Sequence, residues 1–286
     1  MRVDWITAVA LLAGVLACTS SAPQSPEPAT TAPPDVALAS PPTVEVTFLA
    51  NEGVLLSAGE TRVVIDGLFR PYETYAVMPT ADRERIETSQ PPFEGIDLVL
   101  VSHRHGDHFH AESVARHLRQ NPQAALVTSG QVMAEVAAQA GADDAVRTRM
   151  RGVTPGAGER VALNVAGIDL QVLGLPHGTG RVASIQNLGH VVSLGGRKIL
   201  HIGDADMNAE TFRRLGLDRD GIDVALLPGW FLTEPEGQAI IRAHIKPRRL
   251  VAIHLLASGN DRVLASARAA FPDSDALTKL LEVRRY

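Results

Sequence analysis

Ser102-His103-Arg104-His105-Gly106-Asp107-His108 puts three imidazoles and a carboxylate within six consecutive positions, His103 to His108. Imidazole and carboxylate are both good donors to zinc, at roughly 2.0–2.2 Å, and the packing of a chain segment needs no such concentration of them. In an extended or turning segment, side chains two residues apart face the same way. His103 and His105 can therefore hold one ion, while Asp107 and His108, beyond the flexible Gly106, turn toward a second. Two adjacent cations are suited to hydrolysis, because they make a bound water nucleophilic near neutral pH and polarise the oxygen under attack.

Such a motif has to be presented by a rigid element, and Ile96 to Ser102 (IDLVLVS) reads as a fully covered strand ending where the motif begins. Upstream, Val44, Val46 and Phe48 alternate with Thr43, Glu45 and Thr47 at the period of a half-buried strand, so the domain starts at Thr43. Val54 to Ser57 and Arg62 to Asp66 are predicted strands around an Ala58-Gly59-Glu60 turn. Helices are expected from Glu112 to Gln120 and from Gln131 to Ala140, the second closed by Gly141. Further on come strands near 161–165 and 168–174, a hairpin over 188–202 turning at Gly195-Gly196, and a buried strand at 223–227. Thr233, Pro235 and Glu236 carry a capping-box pattern for a helix ending by Pro247, followed by a strand from Leu250 to His254 and a helix near 262–270. Strands predominate without a regular βαβ alternation, which predicts an α/β (α+β) domain of two packed mixed sheets flanked by helices, spanning 43–286.

The His-x-His-x-Asp-His run after a strand resembles the first signature of the metallo-β-lactamase superfamily. Its later ligands have candidates in order: His177 in Leu175-Pro176-His177-Gly178, Asp204 in His201-Ile202-Gly203-Asp204, and His254 at the end of a strand. The resemblance implies the αββα sandwich of that superfamily. It also implies that His103, His105 and His177 hold one metal ion, that Asp107, His108 and His254 hold the other, and that Asp204 bridges. Two Zn2+ ions are expected, with Mn2+ or Fe2+ compatible with the same donors. The resemblance further suggests that Asp107 orients the nucleophile, a metal-bridging hydroxide, or accepts its proton. With Asp107, Asp204 and that hydroxide opposing four positive charges, the centre keeps about one positive charge and favours an anionic substrate.

Superfamily members that hydrolyse antibiotics through a cysteine ligand have it where this chain has Asp204, which argues against that activity. Asn51-Glu52-Gly53-Val54 and Ile65-Asp66-Gly67-Leu68-Phe69 look most like the branch of ascorbate-phosphate lactonase and N-acyl-phosphatidylethanolamine phospholipase D. The expected substrate is thus an ester, lactone or phosphoester of a small or lipid-like anionic molecule. The alternatives are a phosphodiesterase or phospholipase D-like enzyme, and a metal-containing surface binding protein without turnover.

Several residues have both a functional and a plain reading. His110 could line the cleft rim or start a helix. Tyr72, with Phe69, Tyr75 and Met78, belongs to a Pro-rich insertion at 69–94 that could form a lid, a pocket wall or a covering loop. Trp230 and Phe231 follow a buried strand and could shape the pocket or pack. Asp66 could hydrogen-bond a ligand imidazole or serve as a turn aspartate, and His190 and His201 could support Asp204 or sit satisfied in the core. His117 and His244 are expected on helix surfaces.

With 27 basic and 32 acidic residues in 286, the net charge is −5, and no basic run is long enough to track a phosphate backbone, so nucleic acid is not an expected partner. The single cysteine, Cys18, follows a charge-free run from Trp5 to Ala17 that suits a secretory signal and is too short to span a bilayer. Val15-Leu16-Ala17-Cys18 resembles the bacterial lipobox, so residues 1–17 are expected to be a cleaved signal peptide and Cys18 a lipidated residue. Residues 19–42 hold seven of the 18 prolines, and 18–42 reads as a lipid-bearing tether. The chain is therefore expected to be an exported cell-envelope lipoprotein, bound to a membrane through its N-terminal lipid.

Overall fold

The structure, a computed structural model, describes residues 43–140 and 143–286. The expected signal peptide, the lipidated Cys18, the tether and the helix-closing Gly141 lie outside the described residues.

The strands follow one another as β1 (Glu45–Ala50), β2 (Gly53–Ala58), β3 (Thr61–Ile65), β4 (Leu98–Val101), β5 (Ala125–Thr128) and β6 (Met150–Gly152), then β7 (Arg160–Val165), β8 (Ile168–Gly174), β9 (Leu188–Leu194), β10 (Arg197–His201), β11 (Val224–Pro228), β12 (Arg249–Ile253), β13 (Asp275–Ala276) and β14 (Val283–Arg285). The helices are α1 (Thr80–Glu87), α2 (Ala111–Gln120), α3 (Gly130–Ala140), α4 (Asp144–Arg147), α5 (Ala209–Leu215), α6 (Gly229–Thr233), α7 (Pro235–Ile240) and α8 (Asp261–Ala270). One sheet has the order β14-β1-β2-β3-β4-β5-β6 and the other β13-β12-β11-β10-β9-β8-β7.

Period-two alternation assigns every layer. Val63, Ile65, Leu98 and Leu100 point from the first sheet into the core shared with Ile199, Leu226, Val251 and Ile253 of the second. The residues between them turn outward: Val64, Val99 and Val101 pack with Val114, Leu118, Val132 and Val136 of α2 and α3. Leu200, Ala225 and Ala252 pack with Phe212, Phe231, Ile240 and Ala267 on the other side. The result is the αββα sandwich, two mixed sheets face to face with helices outside.

β3 to β6 run parallel, and so do β10 to β13. Parallel strands end on one edge of their sheet, and loops at that edge are where open α/β sheets gather chemical groups.

The capping box expected of Thr233 and Glu236 does not form. α6 begins directly after β11, so Thr233 is already helical, whereas a cap residue needs non-helical dihedrals; its Oγ1 donates back to the Gly229 carbonyl at 3.3 Å. Glu234 takes the cap position before Pro235, with no side-chain cap bond. α7 then widens into a π-turn over Ile241–Ile245, which ends at Lys246 with φ +50°. Within the insertion at 69–94 the structure places α1, whose sequence TADRERIE has one large apolar residue, Ile86, and hence no readable helical period.

Candidate metal centre

Each residue of the site sits on a strand end or the loop after one. Asp66 follows β3, the His103–His108 loop follows β4, His177 follows β8, Asp204 follows β10, Trp230 follows β11 and His254 follows β12. Among the described residues four overlapping groups of donor atoms gather there, each within 4.8 Å of one another: His103, His105, His177 and Asp204; beside them Asp107, His108 and His254; and, behind these, Glu52 with Asp66 and His201 and Glu52 with His108 and Asp204.

The spacing within each of the first two groups is that of ligands around one ion. His105 Nδ1 lies 3.1 Å from His177 Nε2, and His108 Nε2 lies 3.3 Å from His254 Nε2. Tetrahedral bonds of about 2.0–2.1 Å put two donors about 3.3–3.4 Å apart. His103 Nε2 is buried without a hydrogen-bond partner, although its other nitrogen is bonded. Asp204 divides its carboxylate: Oδ2 is 3.4 Å from His177 Nε2 and 3.7 Å from His103 Nε2, whereas Oδ1 is 3.2 Å from His254 Nε2 and 3.4 Å from His108 Nε2. Asp107 Oδ2 stands 3.6 Å from both His108 and His254 Nε2. These residues could hold two cations with Asp204 between them.

A buried layer behind the donors fixes them. Asp66 Oδ2 is 3.0 Å from His108 Nδ1 and accepts the Ser102 hydroxyl at 2.5 Å, while its Oδ1 accepts Ser102 N–H at 2.8 Å. The Ser102 hydroxyl in turn lies 3.0 Å from His103 Nδ1. Asp66 thus supports a site imidazole, as one of its two readings has it, and the imidazole it touches is His108. Burial works against charge on Asp66, but the hydrogen bond and charge of His108, with Ser102, hold its pKa well below the ordinary carboxylate value.

Asn51, in the turn between β1 and β2, donates from Nδ2 to the Asp107 carbonyl at 3.1 Å and to Asp107 Oδ2 at 3.3 Å; its own carbonyl accepts His254 N–H at 3.1 Å. Asn187 does the same for the opposite wall. It donates to the carbonyls of Leu175 and Ile202 and accepts Asp204 N–H at 3.1 Å. His201 accepts Gly203 N–H on Nδ1, which leaves its Nε2 proton for the Glu52 carbonyl at 3.1 Å. Glu52 is wholly buried, and neither carboxylate oxygen has a hydrogen-bond partner. One of them stands 3.5 Å from His201 Nε2 and 3.8 Å from His108 Nδ1. Burial pushes the Glu52 pKa well up, with His108 opposing and Asp204, Asp66 and Asp107 adding to the rise. Asn51, Ser102, Asn187 and Glu52 have no role in the sequence reading; the Asn51-Glu52 pair appears there only within a family pattern, and nothing in residue type marks Ser102 or Asn187.

The mouth of the site is an open cavity of about 340 Å3 bounded by His177, Asp204, Met207 and Trp230. Trp230 meets His254 edge-on at 4.9 Å, whereas Phe231 is buried against Phe212 at 5.6 Å and cannot meet a substrate. The turn into α6 points successive side chains in different directions, so only one aromatic faces the cavity. Tyr72 is 47% exposed and stacks on Tyr75, and it is Tyr75 that touches His254, at 4.6 Å. Burial, with Asp107 and Asp204 nearby, pushes the Tyr75 hydroxyl up to about 12. His110 is taken by α2: its Nδ1 caps the helix by accepting Ser113 N–H at 3.3 Å, which is its helix-start reading. His117 is buried, not on the surface, with Nδ1 2.6 Å from the Ile86 carbonyl, because α1 covers that face of α2. His190, across the hairpin from His201, is buried with neither ring nitrogen bonded.

Comparison with known proteins bears on this geometry. Residues 61–265 match the family model described as a beta-lactamase superfamily domain. A UPF0173 metal-dependent hydrolase of Thermus thermophilus is 32% identical over 213 residues, covering 74% of this chain and 83% of the relative. Among solved structures, a metallo hydrolase from Ignicoccus hospitalis superposes with a TM-score of 0.60 at 16% identity, covering 85% of this chain and 98% of that one. A metallo-beta-lactamase fold protein from Bacillus subtilis does so with a TM-score of 0.57 at 14% identity, covering 86% and 100%.

Proposed function

Because the chain belongs to the metallo-β-lactamase superfamily and is a metal-dependent hydrolase, we propose that it is a dinuclear zinc enzyme that opens an ester, lactone or phosphoester bond of a small or lipid-like anionic molecule. His103, His105 and His177 would hold one ion, Asp107, His108 and His254 would hold the other, and Asp204 would serve both. The observation that carries this reading is the divided Asp204 carboxylate, one oxygen turned to each histidine group. Zinc bound there would supply an ionised water near neutral pH and polarise the oxygen under attack.

The chain's own residues supply the rest. Asp107, held by Asn51 Nδ2, sets its buried carboxylate beside His108 and His254, where it would orient the attacking water and accept its proton. Asp66 and Ser102 keep His108 and His103 turned so that their Nε2 atoms face inward. Trp230 and Tyr75 pack edge-on against the His254 imidazole from two sides and hold that ring in place. The Asp204 position without a cysteine and the Asn51-Glu52-Gly53 turn support the branch of lactonases and phospholipase D-like enzymes. The run before Cys18 and the proline-rich segment after it support export and attachment to the cell envelope through a lipid on Cys18, with no nucleic acid as partner.

The test is metal content of the full chain by elemental mass spectrometry, with hydrolysis of a lactone and a phosphodiester probe before and after chelation. Two zinc ions per chain and chelator-sensitive turnover are expected, with Asp204→Ala and His105→Ala losing both full loading and activity. Undiminished turnover in metal-free Asp204→Ala would defeat the reading.

A further inference from the structure

The strands that deliver Asp204 and His254 past their last residues begin, at the other end of the sandwich, with arginines. Arg197 opens β10, Arg249 opens β12, and Arg248 directly precedes it. β14, on the edge of the first sheet, adds Arg284 and Arg285, and the five arginines are among the residues that line one cavity of about 540 Å3. Five strand residues span on the order of 15 Å, so this cavity is separate from the metal centre.

The carboxylates there do not balance the arginines. Asp223 is shared, 3.0 Å from Arg248 and 3.5 Å from Arg197. Arg284 is held by Asp275 at 3.0 Å and by Glu282 at 2.8 Å, and Arg285 by Glu45 at 2.8 Å, so four carboxylates face five arginines. Among the described residues Arg249 has no carboxylate within ion-pair distance. Tyr286 closes one wall, and its buried hydroxyl has no hydrogen-bond partner. Burial, with Asp275, pushes that hydroxyl up to about 12, so it remains a donor at neutral pH. Clustered guanidinium forks with a spare hydroxyl donor match the oxygens of a phosphate group.

We propose that this arginine-lined cavity is a second ligand site, distinct from the hydrolytic centre, and that it takes a phosphate monoester. The volume is several times that of a phosphate group, leaving room for an organic body beside Val224 and Tyr286. Asp223 and Asp275, which repel a bare anion, can accept hydroxyls of that body. Val44 and Tyr286 exchange backbone hydrogen bonds at 3.1 and 3.0 Å, so the chain enters the domain beside the cavity. The same phosphomonoester could therefore come from a free metabolite or from an anionic lipid headgroup.

Two assays on the metal-loaded full chain separate these sources. Calorimetric titration with glycerol 3-phosphate reads the free ester, and co-sedimentation with phosphatidylcholine vesicles, with or without phosphatidic acid, reads the lipid. Arg248→Ala/Arg249→Ala should weaken whichever binding the wild type shows by at least about tenfold, with probe hydrolysis unchanged; Arg285→Ala is a second variant should the first misfold. His105→Ala should leave the binding intact, because the metal centre takes no part. Loss confined to one assay identifies the source. Equal binding by wild type and arginine variants, or none by the wild type in either assay, overturns the proposal.

Discussion

Glu52 is a carboxylate sealed between His201 and His108 with no donor bonded to either oxygen. A buried charge that nothing compensates is costly, but two cations one imidazole away would compensate it and be held more tightly in return. Glu52→Gln keeps the shape and removes the charge. We expect zinc affinity, measured against a competing chelator, to fall about 10- to 100-fold, while the thermal midpoint of the metal-free protein stays within about 2 °C of wild type. Unchanged affinity would leave Glu52 a packing residue. This is also where legibility in the sequence divides. The site histidines and aspartates announce themselves by type and spacing, because few roles other than metal binding gather them so closely. Asn51, Glu52, Ser102 and Asn187 are ordinary residues whose importance comes from folding, which brings positions such as 52 and 201 into contact.

At the scale of elements, the turn from β10 to Asp204 shows what a single backbone position can hold. Gly203 has φ +53°, and a Cβ there would stand 2.4 Å from Asn187 Oδ1 and 2.7 Å from Ser102 Cβ. Those neighbours fix Asp204 and His103 respectively, so relief of the clash must displace one of them. Gly203→Ala should destabilise the fold by about 2–4 kcal/mol in urea denaturation, from left-handed strain plus overpacking. It should also lower kcat/KM about 100-fold, since a misplacement of about 1 Å is enough; wild-type turnover would show that this turn does not set Asp204. Elements with a strong local pattern were legible, including the β9–β10 hairpin with its Gly195-Gly196 turn and the apolar β4 run. The start of α7 was not, because the Thr233 pattern is overridden by the helix that β11 feeds into it. The edge strand β14 was not either, because its Val283-Arg284-Arg285 gains a role only by pairing with β1 across the length of the domain.

For the molecule as a whole, buried histidines set the response to acid. Burial, and then the neighbouring His201, lowers the His190 pKa from 6.5 to about 3. The folded chain therefore refuses a proton that the unfolded chain accepts below about pH 6.5. A depressed histidine of this kind contributes its full stability above the unfolded pKa and loses it as the pH falls toward the folded one. Since neither ring nitrogen of His190 has a hydrogen-bond partner, an apolar residue of similar volume forfeits no bond. His190→Leu should thus be as stable as wild type, or more so, in urea denaturation of metal-free protein at pH 7. Between pH 7 and pH 5 it should lose about 2 kcal/mol less than wild type, the linkage of one proton over about 1.5 pH units. His117, also buried and lowered, but bonded to the Ile86 carbonyl, provides the contrast: its replacement by Leu strands that carbonyl and should destabilise at both pH values. Identical acid sensitivity in His190→Leu and wild type would mean that the hairpin admits a proton, or a water, to His190 without unfolding.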